Sequence, residues 1–238
     1  MARPKASVIP RGESREKLIE AAETLFSEAG FDGVSIRAIA EAAGVNIALI
    51  GYYFGGKEGL FTEAFRRSAE PINAGRLALL KEIPLRDGRP DLRDLIRAWL
   101  LPVFRYDAER TQRHLFIRLS TILADRSTEL FEKLESEIHH SVNGLFLDAL
   151  QKCLPQISRD TLRWRLYFTI AATTVATKPD IPGMPGAGPR NGGEGIYRNL
   201  QPLIDFAEAG FRAPETVEQP DDRAVADRPR RRKKPVSA

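Results

Sequence analysis

Between residues 35 and 60 the chain reads SIRAIAEAAGVNIALIGYYFGGKEGL, and this stretch restricts the possible folds more than any other. Ile36, Ile39, Ala40 and Ala43 share one face of a short helix spanning Ser35 to Ala43, at the spacing a 3.6-residue period demands. Gly44-Val45 interrupts the pattern, Asn46 to Phe54 resumes it, and Gly55-Gly56 breaks it again. Helices this short are not stable alone, so they must cross and brace one another. Ala40 and Ala43 are small enough for close approach, and Gly44 supplies the backbone freedom of a tight turn. Val45 and Ile50 plug the space between the helices, and Asn46 is suited to cap the second. Its outward positions are then Ile47, Ala48, Gly51 and Tyr52. Small residues near the start of such a helix let it enter a DNA major groove, about 12 Å wide.

The flanking segments are helical too. Leu18, Ile19, Ala22, Leu25 and Phe26 form one apolar face, with Ser14 as N-cap and Gly30 as stop. A helix from about Lys57 buries Leu60, Phe61, Ala64 and Phe65. Apolar helical patterns follow over 71–83, 92–106, 110–125, 128–154, 159–178 and 196–212. Breakers separate several of them: Pro84 to Pro90, Ser127, Pro155 and the proline- and glycine-rich run from Pro179 to Gly195. No alternating strand pattern competes, so the reading is all-α.

Composition narrows the class of function. With 42% hydrophobic residues among 238, a core of ordinary size can form. No apolar run reaches the length of a membrane-spanning helix, and Met1 to Lys5 lacks the character of a secretory signal. Cys153 stands alone in the sequence, inside an apolar helical pattern, which suits a buried thiol in a reducing cytoplasm. The net charge is +4, which mildly favours an anionic partner, but residues 1–68 balance nine basic against nine acidic side chains. Charge alone therefore does not establish nucleic-acid binding, and any DNA surface depends on placement. Gly51 to Lys57 fits the opening of a phosphate-binding loop, yet Glu58 replaces the magnesium-binding hydroxyl and no strand precedes it, which excludes an NTPase. His114, His139 and His140 have no metal-ligand spacing, Cys153 has no base beside it, and G-x-S-x-G is absent. Neither catalysis nor a cofactor nor a metal is expected.

At Ile36-Arg37-Ala38-Ile39-Ala40-Glu41-Ala42-Ala43-Gly44-Val45, then Tyr53-Phe54, Lys57-Glu58 and Leu60, the chain closely resembles the TetR family of transcriptional regulators. Ala21-Ala22, Leu25-Phe26 and Gly30-Phe31 extend the match, which covers about residues 14–65. The resemblance implies an N-terminal three-helix helix-turn-helix DNA-binding domain followed by a larger C-terminal helical ligand-binding and dimerisation domain. Four regions result: a flexible basic arm (1–13), the DNA-binding domain (14–68), the larger domain (69–212) and a disordered basic tail (213–238).

By the same resemblance, Ser35 and Arg37 contact phosphate and a base edge. Asn46, Ala48 and Leu49 face the groove, while Tyr52, Tyr53 and Lys57 bind backbone phosphates. Many relatives carry the phosphate-binding Tyr where this chain has Gly51, and Tyr52 is expected to take over that contact. From the residues alone, Asn46 answers equally to a helix cap, Leu49 to a buried side chain and Lys57 to a solvated one.

In the larger domain the resemblance places dimerisation on 159–178 and 196–212, offering Leu162, Leu166, Ile170, Ile196, Leu200, Leu203, Ile204 and Phe206, although these stripes suit a core equally. Two recognition helices must reach half-sites about one DNA turn apart, so the operator is expected to be an inverted repeat in double-stranded DNA. Candidates for an effector pocket are Phe104, His114, Arg118, Trp164, Tyr167 and Phe168. Arg118 suits an acid or phosphate, and an apolar or acyl-type effector is one class considered. The whole reading is a homodimeric, cytoplasmic, nucleoid-associated repressor released by a small molecule. A constitutive DNA-binding protein and a helical enzyme are its rivals.

Overall fold

The computed structural model of the chain describes residues 11–105, 116, 117, 119, 120, 140–177 and 194–215. Its elements are α1 (Arg11–Ala29), α2 (Ile36–Ala43), α3 (Ala48–Phe54), α4 (Lys57–Glu82), β1 (Leu85–Arg86), β2 (Arg89–Pro90), α5 (Leu92–Arg105), α6 (His140–Cys153), α7 (Arg159–Ala176) and α8 (Glu194–Arg212). The expected all-α fold stands, with one antiparallel pair pairing Leu85 with Pro90 and Arg86 with Arg89. Asp87 and Gly88 turn that hairpin with positive φ at both positions, the backbone a two-residue type I′ turn requires.

Helices α1 to α3 and the start of α4 enclose Leu18, Ile19, Phe26, Ile39, Ile50, Leu60 and Phe61, all buried. Phe26, Phe31 and Phe61 form an aromatic triangle with centroids 5.3–5.5 Å apart. Each such ring contributes roughly 1.5–3 kcal/mol by leaving water. The α2 pattern needs one correction: Ile36 is exposed, not part of the buried face. Ser14 does not cap α1 either, since the helix already starts at Arg11 and Ser14 is buried within it. Residues 11–13, assigned to a flexible arm, are thus helical, and residues 1–10 lie outside the described part.

One unbroken helix replaces the two expected on either side of residue 70. Helix α4 runs 26 residues through Pro71, although an interior proline costs about 3 kcal/mol. Phe65, Ser68 and Ala69 before it, and Ile72, Asn73 and Arg76 after it, are all buried. Burial on both sides of the proline outweighs its local penalty.

Helix α5 is buried almost all round, from Leu92 to Phe104, as a central helix of the larger domain must be. It packs between α4 and α8, with α6 against it. Arg93 ties α5 to α8 through Asp205 (2.5 Å) and Glu208 (2.6 Å). Ser158 caps α7, and Glu215 accepts hydrogen bonds from Ser158 and Thr161 there. Residues 213–215 therefore belong to the folded domain rather than the tail, while 216–238 lie outside the described part.

Candidate nucleic-acid interface and sensing core

The turn between α2 and α3 follows from its sequence. Ser35 is the N-cap of α2, its Oγ accepting from the Ala38 amide at 3.1 Å. Gly44 ends the helix in the left-handed region, φ 65°. Its amide donates to the Glu41 carbonyl (3.1 Å) and the Val45 amide to that of Ala40 (3.0 Å), the paired bonds of a Schellman stop. Asn46 Oδ1 then accepts from the Ala48 amide at 2.8 Å, and the Asn46 carbonyl accepts from Leu49. The next approach needs a residue without a side chain. A Cβ on Gly59 would lie 1.8 Å from the Phe54 carbonyl oxygen, so the first turn of α4 abuts the end of α3 only because position 59 is glycine.

Ile50 anchors α3 to the core, fully buried. Asn46, Ile47, Ala48, Gly51 and Tyr52 remain outside, Tyr52 with 71% of its surface exposed. Ser35 and Arg37 lie exposed at the start of α2, and Arg37 pairs with Glu41, at 3.5 Å. Lys57 is half-buried, its ammonium 4.4 Å from the centroid of Phe31. The ring holds its stem while leaving it beside the N-terminus of α4, where free backbone amides favour an anion. Two expected members sit deeper: Leu49 and Tyr53 are half-buried against the core, and the Tyr53 ring packs edge-on against Tyr52 and Phe54, at 5.0 and 6.0 Å.

The expected effector residues fare differently. Phe104 is wholly buried, and Tyr167 is half-buried. Trp164 and Phe168 are 63% and 61% exposed, stacked on each other at 5.9 Å on the outer face of α7. They do not line the subunit interior, because Leu162, Leu166 and Thr169 occupy the inward positions. His114 and Arg118 lie outside the described residues. The interior instead contains a narrow apolar cleft, lined by Trp99, Phe146, Leu166 and Phe211 among others. Beside it, on α4, the Arg76 guanidinium stacks over the Trp99 ring at 3.7 Å. Sequence periodicity hid this pair, because Arg76 shares a helical face with ordinary core positions.

The dimerisation residues also need revision. Leu162, Leu166, Leu200, Leu203 and Ile204 are buried within the subunit and Ile170 is partly so, while Phe206 is exposed; nothing is described of the Ile196 side chain. The apolar stripe left open on α7 and α8 consists of Trp164, Phe168, Val175 and Phe206. Among the described residues, no helix is long and apolar enough to cross a membrane.

Known proteins agree with this geometry. The family described as "Bacterial regulatory proteins, tetR family" matches residues 18–64, and "Tetracyclin repressor-like, C-terminal domain" matches 97–210. The HTH-type transcriptional regulator YttP of Bacillus subtilis is 53% identical over 47 residues, 20% of this chain and 23% of its own length. The HTH-type regulatory protein RaaS of Mycobacterium tuberculosis is 48% identical over 65 residues, 27% of this chain and 30% of its own. The chain thus spans less than a third of either relative. The fatty acid degradation regulator FadR from Bacillus halodurans shares the fold, with TM-score 0.61 at 17% identity, covering 88% of this chain and 100% of that one. With both its DNA-binding and its C-terminal family matched along one fold, the chain belongs to the TetR family of transcriptional regulators, with a DNA-binding helix-turn-helix.

Proposed function

We propose that the protein is a ligand-responsive repressor that binds an inverted-repeat operator as a homodimer and leaves it when a small molecule enters the larger domain. The observation that carries this reading is the open face of α3. Asn46, Ile47, Ala48 and Tyr52 point away from the core that Ile50 anchors, and nothing else in the described chain covers them. Ser35, Arg37, Asn46, Ala48, Tyr52 and Lys57 form the contact surface. Leu49 and Tyr53 contribute at its edge, chiefly by holding α3 in place. Base edges are read from α3, and phosphates are held by Tyr52, Lys57 and the first amides of α4.

Homodimerisation is supported by the stripe of Trp164, Phe168, Val175 and Phe206, an outward apolar surface on two adjacent helices. Aromatic residues of this kind dominate stable interfaces. Effector binding is supported by the narrow apolar cleft beside Trp99, between α5, α6, α7 and α8, which a ligand widens on entering. A ligand acts by favouring a dimer geometry in which the two α3 helices no longer match successive major grooves. Selecting bound fragments from random DNA with the full chain tests the reading. An inverted repeat with half-sites about one turn apart is expected, and fragments with no shared sequence would refute it.

A further inference from the structure

We propose that Ile47 reads the C5 methyl group of a thymine in the major groove, so that each operator half-site is recognised partly through apolar contact at a T·A pair; this rests on the DNA-binding face proposed above. From Ala42 to Gly56 no side chain is charged, and only Asn46, Tyr52 and Tyr53 carry a hydrogen-bonding group. Tyr53 is half-buried and packs edge-on against Tyr52 and Phe54, and Tyr52 is assigned to phosphate. Asn46 turns its Oδ1 back to the Ala48 amide, at 2.8 Å. The paired contact of an asparagine to adenine uses both its carbonyl oxygen and its amide nitrogen. While it holds that backbone amide, Asn46 offers a base its NH2 group alone. Hydrogen bonding from α3 therefore reads little of the sequence.

The fold around Ile47 does not account for it. It stands at the N-cap of α3 without a side-chain cap bond, a position to which isoleucine is poorly suited. Core packing does not hold it either. Val45, Leu49, Tyr53 and Phe54 rest partly buried against the core, whereas Ile47 is 42% exposed. One exposed isoleucine on an ordinary surface means little, but this one shares its open face with Asn46, Ala48, Gly51 and Tyr52. Ala48 and Gly51 are small and leave room beside it for a base edge. The C5 methyl of thymine is the apolar group that base pairs present in the major groove, and an isoleucine covers it without leaving a polar atom unpaired. Cytosine at the same position lacks the methyl and presents an N4 amine, which this side chain would strip of water without offering an acceptor. Branching at Cβ already restricts χ1, so Ile47 loses little freedom on seating against the methyl.

The test uses the full chain and the operator recovered by the DNA selection above. Each thymine of the half-sites is replaced in turn by deoxyuridine, which keeps the base pair and deletes the methyl alone, and affinity is read by fluorescence anisotropy. At one position or more, binding is expected to weaken about fourfold per half-site, as exposure of one buried methyl implies. Ile47→Ala should bind the thymine and deoxyuridine operators alike at that position, and Ile47→Val should keep part of the difference. This cycle separates the contact from any effect of the missing methyl on the stiffness of the DNA. Circular dichroism reports the fold of each variant. Half-sites without thymine, deoxyuridine tolerated at every position, or a loss that persists undiminished in folded Ile47→Ala overturns the assignment. Should the variants unfold, the deoxyuridine scan with the native chain decides. An inverted repeat indifferent to deoxyuridine sinks this contact and keeps the operator reading, whereas fragments with no shared sequence sink both.

Discussion

Tyr52 and Lys57 are held in opposite ways: Tyr52 projects freely from α3, while Lys57 rests on Phe31 at the head of α4. Neither supports the core, so Tyr52→Ala and Lys57→Ala should weaken operator binding in gel-shift titrations while circular dichroism stays unchanged. Losing the Lys57 contact should also reduce the log-log salt slope by about one. Glu23 makes a different prediction. Its carboxyl is buried in α1 with Oε1 unbonded, 3.6 Å from Arg67 Nε. Burial raises its pKa from the ordinary 4.5 to about 7, Arg67 pulls it back, and Glu20 and Glu16 push it further up. The native state thus holds a proton that the unfolded chain releases. That stabilisation is complete below about pH 4.5 and is lost as pH rises through about 7. Across that window it declines by at most ~1.4 kcal/mol for each unit of pH. Thermal melts should show the Glu23→Gln variant gaining on the native protein from about pH 5 to pH 8, and parallel curves would count against it.

At the scale of elements, the α2–turn–α3 unit was legible because each of its features is local. Gly44 acts within a few residues of itself, so its stop can be read from the chain, whereas Ser35, placed inside the helix by the pattern, caps it, and Ile47 rather than Asn46 stands at the N-cap of α3. The join between α3 and α4 was not legible as a contact. Gly59 looks like any helical glycine until its missing Cβ is set against the Phe54 carbonyl, 1.8 Å away. Gly59→Ala should therefore displace α3 relative to α4. Operator affinity is expected to fall more than about tenfold while the melting temperature drops by only a few degrees, since a shift of about 1 Å can disable a positioned contact. Pro71 misled in the opposite sense, because local chemistry argues for a break and only burial on both flanks overrides it.

For the whole molecule, amphipathic spacing identified α7 and α8 but not which stripe serves which neighbour. Both helices carry apolar residues on more than one side. The leucines fill the subunit, and Trp164, Phe168 and Phe206 are left exposed. Trp164→Asp combined with Phe168→Asp should yield a folded monomer in sedimentation, with operator affinity reduced because the two half-sites are no longer bound together. Persistence of the dimer would move the interface elsewhere. The cleft's lining was hidden for the same reason, since Trp99 and Phe146 differ from ordinary core aromatics only in what lies beside them.

The unbroken course of α4 has a mechanical corollary. Lys57 and Arg76 stand nineteen positions apart on one rod, a separation of roughly 28 Å. Pivoting that rod by about 5° at its inner end sweeps its tip through roughly 2.5 Å, close to the length of one hydrogen bond. Under the proposed function, a lever of these proportions would convert a slight repacking around Trp99 into loss of purchase on a phosphate, with no element needing to unfold.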